Sequence, residues 1–234
     1  MTALSLDLDE TLWQLDGVIE QAERALHDYL LAHHPAVAAA YPPERMRALR
    51  ADLVESDPSL KHDVTALRIR TLEHAAQGAG LPRRIAEEAF EVFLEARHRV
   101  QFYPDALPLL ERLHGRMPLV ALTNGNADVH RLGMGHYFVA SLSAVEVGAA
   151  KPERLMFEAA ADSTGTPMQS LIHVGDDPFT DVAGAARHGL RAVWLNRTGA
   201  PWPVDLPPVF HHEIRSLDQL PELLARLEPE LELL

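Results

Sequence analysis

Acidic side chains crowd the end of the first apolar stretch of this chain. In "LSLDLDETLW", Asp7, Asp9 and Glu10 fall within four positions. Carboxylates that close repel one another, and burying them is costly unless they are paired or bind a cation. A second acidic group, Asp176, Asp177 and Asp181, follows the apolar "LIHV", and "PLVALTNG" ends on Thr123 and Asn124. Lysine is scarce: Lys61 and Lys151 stand among 21 basic residues, the rest of which are arginine. Acids brought together from two strand ends can share a divalent cation, which would relieve their repulsion. A phosphate substrate would meet a net charge of −13, so local groups such as a metal ion, a lysine and backbone amides must overcome that field.

The residues need elements to position them. Residues 16–98 read as helical throughout, in about four helices: "VIEQAERALHDYLL", "PPERMRALRADLVES", "DVTALRIRTLEHAAQ" and "PRRIAEEAFEVFLEARHRV". From residue 104 helices and strands alternate. Helix "PDALPLLERLHG" leads to strand "PLVALTNG", a short helix near Arg131 to strand "LSAVEV", helix "KPERLMFEAAADS" to strand "SLIHVGDD", and helix "FTDVAGAARHG" to strand "AVWLN". A last helix spans about Leu217 to Leu227, after a proline-rich surface loop "RTGAPWPVDLPP". Such alternation, with nearly continuous apolar strands, predicts an α/β fold with a Rossmann-like parallel sheet covered on both faces. Every polar cluster then falls at the carboxyl edge of the sheet, where open parallel sheets bind ligands. Lys151 and Pro152 are expected to open a helix there.

The composition is that of an ordinary globular protein, with 47% apolar and 24% charged residues in 234. The acidic balance argues against a nucleic-acid surface. No apolar run is long enough to span a membrane, and the N-terminus lacks the basic and apolar regions of a secretory signal. With no cysteine, disulfides and thiolate metal sites are excluded, which fits a cytoplasmic protein. The thirteen histidines are scattered. Pairs such as His33–His34 and His211–His212 lack i, i+4 metal spacing and read as surface or satisfied core residues. Trp13 is expected to pack between a hinge and the core, with stacking on a planar substrate the alternative, Trp194 to lie in the core, and "LEPELELL" to form a solvated acidic tail.

"DLDET", "TNG", "KP" and "GDDPFTD", in that order and each after a strand, resemble the four motifs of the haloacid dehalogenase-like (HAD) hydrolase superfamily. The resemblance covers essentially the whole chain. It implies a catalytic core from residues 1–15 and 99–234, a helical cap for substrate selection at 16–98, and sheet order 5-4-1-2-3 counting the core strands along the chain. It also implies Mg²⁺, with Mn²⁺ the alternative, held by Asp7, the Asp9 backbone carbonyl and Asp176. Asp7 is then the nucleophile that forms an aspartyl-phosphate, and Asp9 the general acid and base. Thr123, Asn124 and Lys151 would bind phosphate, with Thr11, Asp177 and Asp181 around them and Asp181 orienting Lys151.

Dehalogenase members lack an acid at the position of Asp9, so the resemblance favours a phosphomonoester hydrolase acting on a small-molecule phosphate ester. "HDVTALRIRTLEHA" and "TNGNA" resemble bacterial cap-bearing phosphatases acting on flavin mononucleotide and 5-amino-6-(5-phosphoribitylamino)uracil, a riboflavin precursor. Lys61, His62, Asp63 and Arg68 are candidate cap contacts, beside the reading of a solvated helix start for each. Lys61 stands too far along the insert for the Schiff-base chemistry of phosphonate-cleaving relatives. Another sugar or nucleotide phosphate as substrate, a phosphomutase, and a non-catalytic binding protein on the same fold are the alternatives. The protein is expected to be a monomer or homodimer with neither nucleic-acid nor membrane partner.

Overall fold

Short apolar runs form the frame. In the computed structural model, which describes residues 2–229, the strands are β1 (Ala3–Asp7), β2 (Trp13–Gln14), β3 (Gln101–Phe102), β4 (Leu119–Thr123), β5 (Ala140–Ser143), β6 (Leu171–Gly175), β7 (Arg191–Leu195) and β8 (His212–Ile214). Six make one parallel sheet in the order β5-β4-β1-β6-β7-β8. The three central strands are buried at every position, as expected of strands covered on both faces. The five expected strands stand in the implied order. A sixth, β8, is added beside β7, and its three residues are too few to show a period. Winding reverses at β1, which opens a crevice beyond the carboxyl ends of β1, β4 and β6.

The chain divides into two compact units, Met1–Gln14 with Gln101–Leu234, and Leu15–Val100. In the first, β2 and β3 pair antiparallel where the chain leaves and returns. Its sheet core gathers Val120, Leu122, Phe157, Leu171 and Trp194. The second holds α1 (Val18–His33), α2 (Pro35–Ala40), α3 (Pro43–Ser56), α4 (Val64–Gly78) and α5 (Ile85–Arg97) around Ala22, Leu26, Leu72, Phe90 and Phe93. These are five helices, not four, because Pro35 starts a separate one. Asp63 caps α4, accepting from the Ala66 N–H at 2.7 Å. Glu23 accepts from Arg50 at 2.6 Å and Arg68 at 3.1 Å, and the Arg68 guanidinium lies 3.9 Å over Phe93. Lys61 is exposed, and the side chain of His62 lies outside the described residues.

The first unit also carries α6 (Ala106–Leu113), α7 (Ala144–Val147), α8 (Arg154–Thr164), α9 (Gly184–Arg187) and α10 (Leu220–Leu227), and several boundaries differ from expectation. "LSAVEV" is strand only to Ser143, where a reciprocal Ser143–Glu146 capping box starts α7. The segment near Arg131 is a run of turns. Asp128 accepts from the His130 N–H at 2.8 Å, and Gly133 takes the left-handed conformation. Lys151 does not open α8, which begins at Arg154, because a residue before proline is pushed out of helical geometry. A π-helical turn, Pro178–Ala183, precedes α9, and a 3₁₀ turn, Leu217–Gln219, precedes α10. From residue 230 the acidic tail lies outside the described residues. No helix among the described residues is long and apolar enough to cross a membrane.

Candidate active site

The site starts where β1 runs out. After Asp7 the chain turns back on itself: Thr11 and Leu12 donate to the Leu8 carbonyl, and the Glu10 N–H to the Trp13 carbonyl. Glu10 sits at φ 59°, uncommon without glycine, and its carboxylate accepts from the Tyr103 hydroxyl at 2.8 Å. Burial first, and then Glu10, push the Tyr103 hydroxyl up to about 12, so it stays a donor. Trp13 is fully buried, edge-on to Phe102, and its Nε1–H donates to Asp9 Oδ1 at 2.8 Å. The expected hinge packing thus also orients an acid. The other Asp9 oxygen would lie 3.3 Å from a Cβ at Gly125, and Thr123 Oγ1 3.4 Å, so a bare residue at 125 leaves room for both polar groups.

Lys151 links the motifs. Its ammonium donates to Asp7 Oδ1 at 2.5 Å, Asp181 Oδ1 at 2.7 Å and the Leu122 carbonyl at 3.3 Å, which accounts for all three N–H bonds. Asn124 holds the main chain beneath it, donating to the Lys151 carbonyl and accepting from its N–H. The Asn124 amide is therefore committed to the Lys151 backbone, a different place from the phosphate contact expected of it. Thr123, nearly fully buried, accepts from the Gly125 N–H at 2.9 Å.

Across the crevice, Thr11 Oγ1 lies 3.2 Å from Asp7 Oδ2 and 3.4 Å from Asp176 Oδ1. The Asp176 carbonyl accepts from Trp194 Nε1 at 2.9 Å, so this core tryptophan also fixes a site residue. Asp177 accepts from the Phe179 and Thr180 N–H groups and starts the π-helical turn. Asp181 is almost wholly buried. Its Oδ1 takes Lys151 and His173 Nε2, the latter at 3.1 Å, and its Oδ2 takes the Asp177 N–H. A Cβ on Gly175 would collide with it. Ser5, His173, Trp13 and Trp194 carry no motif. The available signal was a polar residue inside a buried apolar strand, as in "ALSLD" and "LIHVG".

Carboxylate oxygens of Asp7, Asp176 and Asp181 lie within 4.8 Å of one another, and one ammonium faces them. Burial raises the Asp7 carboxyl well above the usual range, against the pull of Lys151, and Asp181 and Asp176 add to the rise. Asp176 is pushed up to about 7 by burial, then by Asp181 and Asp177. Burial alone would also raise Asp181, but Lys151 and His173 hold it well below the carboxylate range. Burial disfavours the Lys151 charge, yet Asp181 and Asp7 raise it above the ordinary lysine value. The negative surplus thus sits on Asp7 and Asp176, and hard oxygen ligands around a surplus of charge fit a divalent cation such as Mg²⁺. Asp181 is the least available of the three, since its Oδ1 already serves Lys151 and His173 and its Oδ2 the Asp177 N–H.

Comparison with known proteins places the chain in a family. A profile for haloacid dehalogenase-like hydrolases matches residues 1–189. The chain is 35% identical over 232 residues to the 5-amino-6-(5-phospho-D-ribitylamino)uracil phosphatase YigB of Escherichia coli (strain K12), covering 96% of each. It is 36% identical over 136 residues to the phosphoserine phosphatase of Thermus thermophilus, covering 56% of this chain and 55% of that one. The crystal structure of a 2-haloacid dehalogenase from Pseudomonas syringae pv. Tomato DC3000 superimposes with a TM-score of 0.89 at 42% identity, covering 97% of this chain and all of that one.

Proposed function

This chain is an enzyme of the haloacid dehalogenase-like hydrolase family, and from that premise we propose that it is a divalent-metal-dependent phosphomonoester hydrolase. One observation carries the reading: Asp7, buried at a strand end, faces Lys151 on one side and Asp176 on the other, with Asp9 two residues on. Asp7 attacks phosphorus and forms an aspartyl-phosphate as the bond to the ester oxygen breaks. Asp9, oriented by Trp13, gives that oxygen a proton. It then takes one from the water that attacks the phosphorus, which releases phosphate and restores Asp7. Lys151 and Thr123 stabilise the transferring phosphoryl oxygens, and Asn124 holds Lys151 in place. A bound Mg²⁺ or Mn²⁺, held by Asp7, Asp176 and the Asp9 carbonyl, would supply the positive charge that keeps Asp7 ionised.

The near full-length similarity to the phosphatase YigB supports a small phosphorylated metabolite as substrate, of the ribitylamino-uracil or flavin mononucleotide kind, selected by the helical unit. A second reading, dehalogenation, is favoured by the identity to the 2-haloacid dehalogenase structure. Halide leaves carbon without a proton donor, however, and this chain holds an acid, Asp9, beside the nucleophile. The test measures phosphate release from p-nitrophenyl phosphate, flavin mononucleotide and the ribitylamino-uracil phosphate, and halide release from a 2-haloacid. Phosphate release abolished by chelator and restored by Mg²⁺ is expected. Full turnover in excess chelator removes the metal role, and halide release without phosphate release overturns the reading.

A further inference from the structure

A buried polar chain lies beneath the reacting carboxylate, and no step above uses its far end. Ser5 on β1 and His173 on β6 face each other in register, two residues before Asp7 and three before Asp176. His173 Nδ1 lies 2.9 Å from Ser5 Oγ, and Nε2 lies 3.1 Å from Asp181 Oδ1. The ring is 1% exposed and packs edge-on against Phe157 at 5.3 Å.

Donor accounting fixes the direction of each bond. An ionised carboxylate only accepts, so Nε2 must carry hydrogen. Burial favours a neutral ring, so Nδ1 is the acceptor and the Ser5 hydroxyl donates to it. The alternative partner of Ser5, the Ile172 carbonyl, is more distant at 3.4 Å. The chain therefore runs from Ser5 through His173 to Asp181, Lys151 and Asp7. The bare Gly175 leaves room for the Asp181 carboxylate, and a single Asp181 oxygen serves both Lys151 and His173.

We propose that His173 is a positioning residue which, as the neutral Nε2–H tautomer that donates to Asp181 and accepts from Ser5, holds the Asp181 carboxylate so that Lys151 stays aimed at Asp7. Its effect on turnover rests on the phosphatase reading; the tautomer does not. Misplacing a catalytic group by about 1 Å can cost on the order of 10²-fold in rate, so the anchor acts mainly on kcat.

Nitrogen-15 NMR of the whole protein near neutral pH, with His173 assigned by the signals lost in His173→Gln, should show a protonated Nε2 and a bare Nδ1. A protonated Nδ1, alone or as imidazolium, overturns the proposal whether or not the protein hydrolyses phosphate esters. In kinetics on p-nitrophenyl phosphate, His173→Leu should lower kcat by about 10- to 100-fold with KM within about 3-fold. His173→Gln, whose amide can still donate to Asp181, should restore most of it. Equal losses in the two variants, or an unchanged kcat in His173→Leu, would reduce His173 to packing. Ser5→Ala removes one hydroxyl and answers the question should His173→Leu not fold. It should lower kcat by about 3- to 10-fold, because the ring loses its hold on β1, and an unchanged kcat overturns the proposal.

Discussion

Each unit withdraws a cluster of charge from solvent, and the two clusters are balanced in opposite senses. In the sheet unit three carboxylates, Asp7, Asp176 and Asp181, surround the single ammonium of Lys151. In the helical unit one carboxylate, Glu23, takes two guanidiniums, Arg50 and Arg68. The helical cluster keeps 15–21% of its side chains exposed and stacks Arg68 on Phe93, so water and an aromatic face offset its surplus. The Lys151 and Asp181 side chains are each 2% exposed, where solvent cannot screen the charge. A guanidinium cannot shed its proton, whereas a carboxylate can take one up. The sheet surplus accordingly appears as raised carboxyls at Asp7 and Asp176. One cluster is complete as folded, and the other calls for a charge from outside.

Deleting one acid from each cluster tests this contrast most sharply. Asp7→Asn should abolish phosphatase turnover, by on the order of 10⁴-fold or more, while leaving stability in chelator unchanged or higher, since one crowded carboxylate is gone. Near-normal turnover would remove the aspartyl-phosphate step. Asp9→Asn should slow hydrolysis of an alkyl phosphate by about 10² to 10⁴ and phosphorylation by an aryl phosphate much less, because nitrophenolate leaves unaided. Rapid-quench kinetics on both esters reads the difference. Equal defects would make Asp9 a holder of the loop instead of the proton donor.

Lys151→Met removes the only ammonium facing the three acids in the described site and should cost about 3–5 kcal/mol in urea unfolding, with part of the loss recovered in Mg²⁺. A neutral outcome would mean that the acids are already protonated. Glu23→Gln should destabilise, by about 1.5–3 kcal/mol, where Asp7→Asn in the same assay does not. If both substitutions moved stability the same way, the contrast between the clusters would fail.

The smallest expected effect is the pH dependence without metal. Between the ordinary carboxylate value of 3.8 and about 7, folded Asp176 keeps a proton that the unfolded chain has lost. Asp176 therefore makes stability in chelator fall as pH rises across that window, while His173, whose neutral form burial favours in the fold, acts against it until the unfolded ring has lost its proton too. The depressed carboxyl of Asp181 acts in the opposite sense: its contribution is present above its unfolded value and lost only below it, so it does not cancel the slope. Unfolding curves at about pH 5 and about pH 7.5 should show stability dropping more, or rising less, with pH in chelator than in Mg²⁺. The same pH dependence in both would mean that Asp176 is paired in the fold.

Much of this was readable along the chain because it is local. Acid spacing at Asp7, Asp9 and Asp176, the scarcity that marks Lys151, and the alternation of helix with apolar strand all lie within windows of a few residues. Sheet neighbours, by contrast, are chosen by packing between segments far apart. β8 joins the edge through three residues, and Ser143 ends a strand early because its hydroxyl and Glu146 cap a helix. Asn124 meets Lys151 across 27 positions, and Ser5 meets His173 across 168. No periodicity reports such a pairing. A polar group inside an apolar strand announces only that it needs a partner, and which partner it finds depends on how the strands are ordered in space.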